Sequence, residues 1–233
     1  MHVESRLYDA IRAKDILGAA MLLECLDHID SPLDGNMQTA LILSVVEGLH
    51  LITQRAIDLG ANPNARDSYG MTVLNTAILC SSKIGMDILI SSGADLELPD
   101  STGRTSLSRC LESWGDEDIA LYLLDRGADF RGMLKKAILN NKQRCVDWLI
   151  SNNALVNEQD ELGKTPLHYA VYQGSTEATE KLLRTGACSH IKDCAGMDVH
   201  DYIEKMWTQK HEMKRLVQAH ISRCACNIHC FTM

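Results

Sequence analysis

The chain has 233 residues, of which 45% are hydrophobic, and its formal net charge is −8. This composition is that of a folded protein, and its acidic balance argues against nucleic acid as the main partner, because phosphate binding needs clustered Lys and Arg. No run of about 18 apolar residues predicts a membrane helix, and the polar start is unlike a secretory signal, so we expect a cytoplasmic or nuclear location.

The predicted elements recur with a period of 33 residues. Thr39, Thr72 and Thr105 are spaced by this interval, and so are Gly60 and Gly93. Such self-similarity is typical of a repeat protein in which each unit contributes one turn and two helices. One unit cannot bury its apolar face alone, so stacked units share a continuous core.

The most complete copy runs from Asp160 to Lys192. It begins with Asp-Glu-Leu-Gly at 160–163, continues with Thr-Pro-Leu-His at 165–168, and closes with Gly-Ala at 186–187. Glycine can take the positive φ of a turn, threonine caps a helix through its hydroxyl, and proline is tolerated at the first helical position. A glycine after the second helix ends it with a left-handed residue.

These motifs resemble those of the ankyrin-repeat family. The resemblance implies an all-α fold, an ankyrin-repeat solenoid of stacked helix-turn-helix units with projecting β-hairpin fingers. In chain order the predicted units are an N-terminal capping repeat at 1–33, repeats at 34–66, 67–99 and 100–130, a shortened repeat at 131–159, a repeat at 160–192, a C-terminal capping repeat at 193–221, and a Cys-rich tail at 222–233 that we expect to be flexible.

The shortened repeat lacks residues before its first helix. Gly60 precedes Leu74 by 14 positions, whereas Gly127 precedes the corresponding Leu134 by only 7. We therefore predict that the finger between the fourth and fifth units is missing. Two interpretations stay open, a notch shaped for a partner or a neutral deletion in a tolerant loop.

The fourth unit carries one extra residue within an acidic loop at 113–118 that includes Trp114. Tryptophan is enriched at interface hot spots, so this loop is a candidate contact site. The alternative is a tryptophan packed under a slightly longer loop.

Ankyrin-family members bind proteins through finger tips and through the concave face of the first helices, which transfers a set of candidate partner-binding positions to this chain. The best candidates are three tyrosines, because each combines a large apolar area with a hydroxyl. The candidates are Arg66, Tyr69, Glu161 and Leu162 on fingers, Glu112, Lys136, Tyr169, Tyr172 and Gln173 on first helices, and Trp114.

An enzyme is not expected. His168 belongs to a position that in the ankyrin pattern braces the finger, and no nucleophile elbow, phosphate loop or H-E-x-x-H helix is present. An enzyme subunit would gain support only if His168 and a cysteine met in an open pocket. No cofactor and no metal are expected.

Nine cysteines are present, and without a signal peptide most are expected to be reduced. The chain closes with Cys230-Phe-Thr-Met, which resembles a C-a-a-X box and predicts a farnesyl group on Cys230; Cys224 and Cys226 are candidates for a second lipid. A disordered terminus and a crowded zinc site that includes His229 are the alternatives.

The sequence thus predicts a non-enzymatic scaffold, an adaptor or an inhibitor, that binds another protein and is monomeric. The alternative is a lipid-anchored adaptor that recruits its partner to a membrane.

Overall fold

The computed structural model describes residues 2–112, 115–206 and 210–221. The chain divides into two compact units, residues 1–109 (unit 1) and 110–233 (unit 2). Regular secondary structure in the described residues is entirely α-helical, with one isolated antiparallel bridge between Arg66 and Thr72. None of the described helices is both long enough and apolar enough to cross a membrane.

Unit 1 is built from helix pairs joined by short turns. Its helices are α1 (Val3–Arg12), α2 (Ile16–Leu23), α3 (Ala40–Val46), α4 (His50–Asp58), α5 (Val73–Leu79) and α6 (Lys83–Ser91), followed by α7 (Ser106–Cys110) at the boundary of the units. The first helices α1, α3 and α5 contact one another in sequence, and the second helices α2, α4 and α6 do the same. Within this unit the predicted stacking of helix pairs is therefore confirmed.

A continuous apolar cluster holds the first two pairs of unit 1 together. Leu7 and Ile11 of α1 and Leu23 of α2 are buried against Leu43 of α3 and Ile52 of α4. Each fully buried side chain of this size contributes about 1.5–3 kcal/mol relative to an exposed one. The N-terminal pair is thus tied into the stack although it lacks the turn motif of the later repeats.

Threonines cap the first helices as the sequence predicts. The Oγ1 of Thr39 accepts a hydrogen bond from the backbone N–H of Ile42 at 3.3 Å, and Thr72 does the same for Asn75 at 3.1 Å. Such a cap stabilises a helix by about 1 kcal/mol, because it satisfies an N–H group that the first turn leaves without a partner.

Each first helix after α1 is preceded by a loop, and where this loop carries the Asp-x-x-Gly motif we call it a finger. In the Asp67 finger (residues 65–72) the Asp67 carboxylate accepts hydrogen bonds from the N–H groups of Tyr69 and Met71, both at 2.9 Å. Gly70 there has a φ of +73°, which a residue with a side chain rarely adopts. The aspartate and the glycine together fix the tight turn.

Unit 2 continues the same pattern. Its helices are α8 (Glu117–Asp125), α9 (Met133–Leu139), α10 (Gln143–Ser151), α11 (Pro166–Gln173), α12 (Thr176–Arg184), α13 (Val199–Met206) and α14 (Lys210–Ile221). The first helices α9, α11 and α13 contact one another, as do the second helices α8, α10, α12 and α14. This stacking places two fingers of unit 2 side by side.

Candidate functional site

The row of fingers is interrupted in unit 2. Only seven residues, 126–132, separate α8 from α9, whereas fourteen, 152–165, separate α10 from α11 and fourteen, 185–198, separate α12 from α13. Helix α9 begins at Met133, and the residue before it, Gly132, has a φ of +69° and provides no side-chain cap. A loop of this length is half as long as the loops that carry the Asp160 and Asp193 motifs.

A groove of about 690 Å³ lies where that finger is missing. We call it the notch. Its apolar lining comes from the short loop and α9, from the loop after α10, and from the next finger and α11: Phe130, Leu134, Leu155, Leu162, Pro166 and Tyr169. Leu155 is 65% exposed and Leu162 is 56% exposed. Two exposed leucines that line one groove form an apolar surface that a partner could cover.

Asp160 is the polar centre of this region. One carboxylate oxygen accepts hydrogen bonds from the Tyr169 hydroxyl and from Lys135 Nζ at 2.9 Å, and the other accepts from the N–H groups of Leu162 and Lys164. Burial alone would raise the pKa of Asp160, but the hydrogen bonds, led by those from Tyr169 and Lys135, hold its pKa well below the ordinary value.

Tyr169 donates its hydroxyl hydrogen bond to Asp160, and the residue also lines the notch. The ring lies 5.5 Å from Lys135 Nζ and 5.8 Å from Lys164 Nζ, within cation–π range. Burial, and then the hydrogen bond to Asp160, raise the pKa of the Tyr169 hydroxyl, so it stays protonated and continues to donate. A partner at this tyrosine would meet ring carbon rather than an available hydroxyl.

The Asp160 finger (residues 158–165) is joined on one side to the Asp193 finger (residues 191–198). The N–H of Cys194 donates to the carbonyl oxygen of Leu162 at 2.9 Å, and Gln159 Nε2 donates to the carbonyl oxygen of Lys192 at 3.1 Å. A Cβ on Gly163 would lie 2.8 Å from the Cys194 nitrogen, so this close approach requires glycine. The opposite side of the Asp160 finger faces the notch.

Of the remaining candidates of unit 2, Lys136, Tyr172 and Gln173 lie on first helices as predicted, whereas Glu112 lies two residues after the end of α7 and not on it. Tyr172 of α11 is 48% exposed, and neighbouring Gln173 is exposed while its Nε2 donates to the carbonyl oxygen of Leu139. Glu112 and Lys136 form an ion pair with 3.9 Å between their charged atoms. Among the candidates of this unit, the structure therefore brings Glu161, Leu162 and Tyr169 together at the notch and Glu112 next to Lys136.

Two candidates lie on the Asp67 finger of unit 1. Tyr69, at the tip, is 70% exposed. Arg66, by contrast, donates from its guanidinium to the carbonyl oxygens of Gly70 at 2.7 Å and Pro99 at 2.5 Å. Arg66 thus braces its own finger and joins it to the following loop, which gives it a structural role that the sequence did not indicate.

Trp114 and the cysteines Cys224, Cys226 and Cys230 lie outside the described residues, as does His229 of the zinc alternative. The contact role of the acidic loop and lipid attachment at the tail therefore stay predictions.

His168 is fully buried and has structural partners. Its Nδ1 accepts a hydrogen bond from the N–H of Thr165 at 3.1 Å, and its Nε2 lies 3.4 Å from the carbonyl oxygen of Met197. Its ring packs edge-on against Tyr202, with 5.4 Å between the ring centroids. Burial lowers the pKa of His168, which favours the neutral ring. The predicted bracing role is confirmed, and the open pocket that would favour an enzyme is not formed at this histidine.

Sequence reasoning missed Leu155, Phe130 and Lys135, which also line the notch. The only signal for them was the shortened spacing between Gly127 and Leu134, which located the interruption but not the side chains around it.

Comparisons with known proteins identify the repeat type. A family model described as "Ankyrin repeats (3 copies)" matches residues 41–133, and one described as "Ankyrin repeats (many copies)" matches residues 134–183. Together they cover more than half of the chain, and the fold class and family predicted from the sequence are confirmed.

Two curated relatives contain similar sequence. B-cell lymphoma 3 protein homolog of Mus musculus is 32% identical over 67% of this chain, and Rabankyrin-5 of Homo sapiens is 25% identical over 81%. The matches span 38% and 20% of these relatives, so the chain corresponds to only part of each.

Two solved structures are similar in fold. The ankyrin repeat domain of Bcl-3, described as a unique member of the IkappaB protein family, has a TM-score of 0.76 and 26% identity, covering 84% of this chain and 92% of that one. The human ASB11 ankyrin repeat domain has a TM-score of 0.67 and 19% identity, covering 92% of this chain and 97% of that one, and shows the fold alone.

Proposed function

Because the chain belongs to the ankyrin-repeat family, we propose that it is a non-enzymatic scaffold that binds another protein, as an adaptor or an inhibitor. The partner contacts finger tips and the face formed by the first helices. Family membership supports protein binding in general, and since one repeat scaffold serves many targets, the partner must be identified through the surface of this chain.

One observation carries the proposal. Two tyrosines remain exposed at the two kinds of position that would contact a partner: Tyr69 at a finger tip, 70% exposed, and Tyr172 on a first helix, 48% exposed. A tyrosine provides a large contact area at a modest cost in conformational entropy and is enriched at interface hot spots. Exposed aromatic side chains with no role in the core are expected of a binding surface.

The test is affinity capture from cells with the full chain as bait. Tyr69→Ser and Tyr172→Ser, singly and together, should reduce recovery of a specific partner, with each hot-spot loss worth about 1–3 kcal/mol, or roughly 5- to 150-fold in affinity. Leu51→Ser is the matched control, because Leu51 is 70% exposed but lies on second helix α4. Undiminished recovery with the double variant would contradict the proposal, and so would an equal loss of recovery with the Leu51→Ser control.

The partner class is protein rather than nucleic acid, since the net charge of −8 opposes phosphate binding. We propose a cytoplasmic or nuclear monomer. Fractionation of cells and sedimentation of the purified chain test these two points.

The lipid-anchored adaptor is the second candidate, favoured by the Cys230-Phe-Thr-Met sequence. It requires Met233 to be the last residue of the natural protein, because a C-a-a-X box is read at a C-terminus. Intact mass from eukaryotic cells tests it: loss of three residues with gain of a farnesyl and a methyl group supports it, and an unmodified mass contradicts it. Cys230→Ser should then change the location of the protein without changing partner binding.

A further inference from the structure

Two tyrosines occupy equivalent positions on first helices of unit 2 that pack against each other. Tyr169 is the fourth residue of α11, and Tyr202 is the fourth residue of α13. Each hydroxyl donates a hydrogen bond to the aspartate of its own finger, Tyr169 to Asp160 and Tyr202 to Asp193. These two hydrogen bonds hold both rings in defined positions beside their fingers.

The hydrogen bond to the finger does not itself require an aromatic ring. Arg109 is the fourth residue of α7, and its Nε donates to the carboxylate of Asp100, the aspartate of the preceding finger, at 2.6 Å. A guanidinium thus fulfils there the role that a phenol hydroxyl fulfils in unit 2. What the two tyrosines add is a pair of ring faces, whose negative quadrupole attracts cations.

One ammonium group is shared by the two rings. Lys164 Nζ lies 5.8 Å from the ring centroid of Tyr169 and 5.4 Å from that of Tyr202, within the range of a cation–π contact. Among the described residues, this Nζ has no hydrogen-bond acceptor and no ion-pair partner. Lys135 Nζ also lies near the Tyr169 ring, at 5.5 Å, but it donates to Asp160 at 2.9 Å. Lys164 is therefore the cation that only the rings hold.

Lys164 can leave the rings without breaking a hydrogen bond of its ammonium group to the fold. Lys164 and Tyr169 are half-buried and line the notch, whereas Tyr202 is 3% exposed. A lysine side chain is flexible and its ammonium is strongly hydrated, so the released group is well accommodated in water. If another ammonium takes its place at the rings, the number of charges there stays the same.

We propose that Tyr169 and Tyr202 form a binding site for a lysine side chain of the partner, and that Lys164 occupies this site in the unbound chain. The partner's lysine enters from the notch and its ammonium replaces that of Lys164, which moves into solvent. The chemistry of the occupant follows from the group that the rings already hold. This inference rests on the proposed protein-binding function, and it makes Lys164 an inhibitory contact.

The probe is Nα-acetyl-lysine amide, compared with Nα-acetyl-norleucine amide, which has a similar apolar chain and no charge. Each is titrated into the full chain with labelled tyrosine, and the ring resonances of Tyr169 and Tyr202 are followed by NMR. Lys164→Met removes the ammonium and keeps an apolar side chain, so the rings become available. Because one cation–π contact changes affinity roughly 2- to 30-fold, the lysine probe should bind this variant about fivefold more tightly than the wild-type chain.

Two further variants make this comparison specific. Lys164→Gln also lacks the ammonium and should give the same gain in affinity, with circular dichroism showing that both variants are folded. Arg126→Met is the matched control, because the Arg126 guanidinium lies 4.8 Å from the centroid of a single ring, that of Tyr122 on α8. It should bind the lysine probe as weakly as the wild-type chain does.

The proposal is overturned if the lysine probe leaves both ring resonances unchanged in the Lys164 variants, or if these variants bind it no more tightly than the wild-type chain. Equal affinity for the norleucine probe would also overturn it, since the rings would then select apolar surface and not charge. The proposed function is tested separately through Tyr69 and Tyr172. Partner capture that depends on those two tyrosines, without lysine binding in Lys164→Met, would leave the function in place and remove the inference.

Discussion

Replacing Asp160 by Asn should destabilise unit 2, because the charged carboxylate is what the surrounding donors require. Asparagine can keep one acceptor oxygen for the N–H groups of Leu162 and Lys164. Its amide nitrogen, however, would take the place of the oxygen that accepts from the Tyr169 hydroxyl and Lys135 Nζ, so donors would face a donor.

The magnitude follows from the burial of this group. The Asp160 side chain is 15% exposed, and Lys135 is 38% exposed, so the ion pair is only partly screened by water. Hydrogen bonds to charged groups contribute about 1.5–3 kcal/mol, and we expect Asp160→Asn to lower the free energy of unfolding by about 2–3 kcal/mol at pH 7. For a chain of this size that is roughly 5–10 °C in Tm.

The effect should depend on pH in a defined direction. The folded-state pKa of Asp160 lies below its unfolded-state value, so the stabilisation is fully present above the unfolded value of about 3.9 and decreases as the pH falls below it. Asparagine does not titrate. The stability difference between the wild-type chain and the variant should therefore be largest from pH 5 to 7 and smaller at pH 3.5.

The assay is urea denaturation followed by far-UV circular dichroism at pH 7, 5 and 3.5. Asp67→Asn is the matched control: its carboxylate caps the N–H groups of Tyr69 and Met71, which an amide oxygen can also do, and it should cost less than about 1 kcal/mol. If Asp160→Asn changes stability by no more than the control at pH 7, or if its effect does not decrease at pH 3.5, the reasoning is refuted.

Three further predictions concern packing. In urea denaturation, Gly163→Ala should lower the free energy of unfolding by about 2–4 kcal/mol, because the alanine would combine a φ of +70° with a Cβ 2.8 Å from the Cys194 nitrogen. Gly132→Ala is the control and should cost about 1 kcal/mol, since it has a φ of +69° but no atom within 4 Å of the added Cβ. Equal costs for the two variants would show that the close approach at Gly163 is absent. Burial raises the pKa of the Cys145 thiol to about 12. Iodoacetamide at pH 7.5 should therefore alkylate Cys145 far more slowly than exposed Cys194, as followed by mass spectrometry. Similar alkylation rates would contradict the burial of Cys145. Leu149→Ala at a fully buried position should cost about 2–5 kcal/mol, and a cost under about 1 kcal/mol would mean that α10 packs differently.

The fold could be predicted because its signals are local and repeated. A threonine such as Thr72 before an apolar helix, and a glycine such as Gly70 in the turn before it, each specify their own backbone geometry through interactions within a few residues. Repetition every 33 residues then supplies the tertiary contacts, since each unit packs on a copy of itself.

The candidate site could be predicted only in outline. Spacing revealed the missing finger, but the notch is formed by residues about 25 to 35 positions apart, and their meeting depends on how the repeats stack. Lys135 pairs with Asp160 across this distance, and nothing in the local sequence of either residue indicates it. Arg66 shows the same limit, because its acceptor at Pro99 lies one repeat away.

The most direct measurement is the amide hydrogen-exchange footprint of the full chain bound to its captured partner. The account predicts slower exchange at the tips of the Asp67 and Asp160 fingers and in first helix α11, with second helices α4 and α12 unchanged. Protection confined to the second helices, with both finger tips exchanging as in the unbound chain, would contradict it.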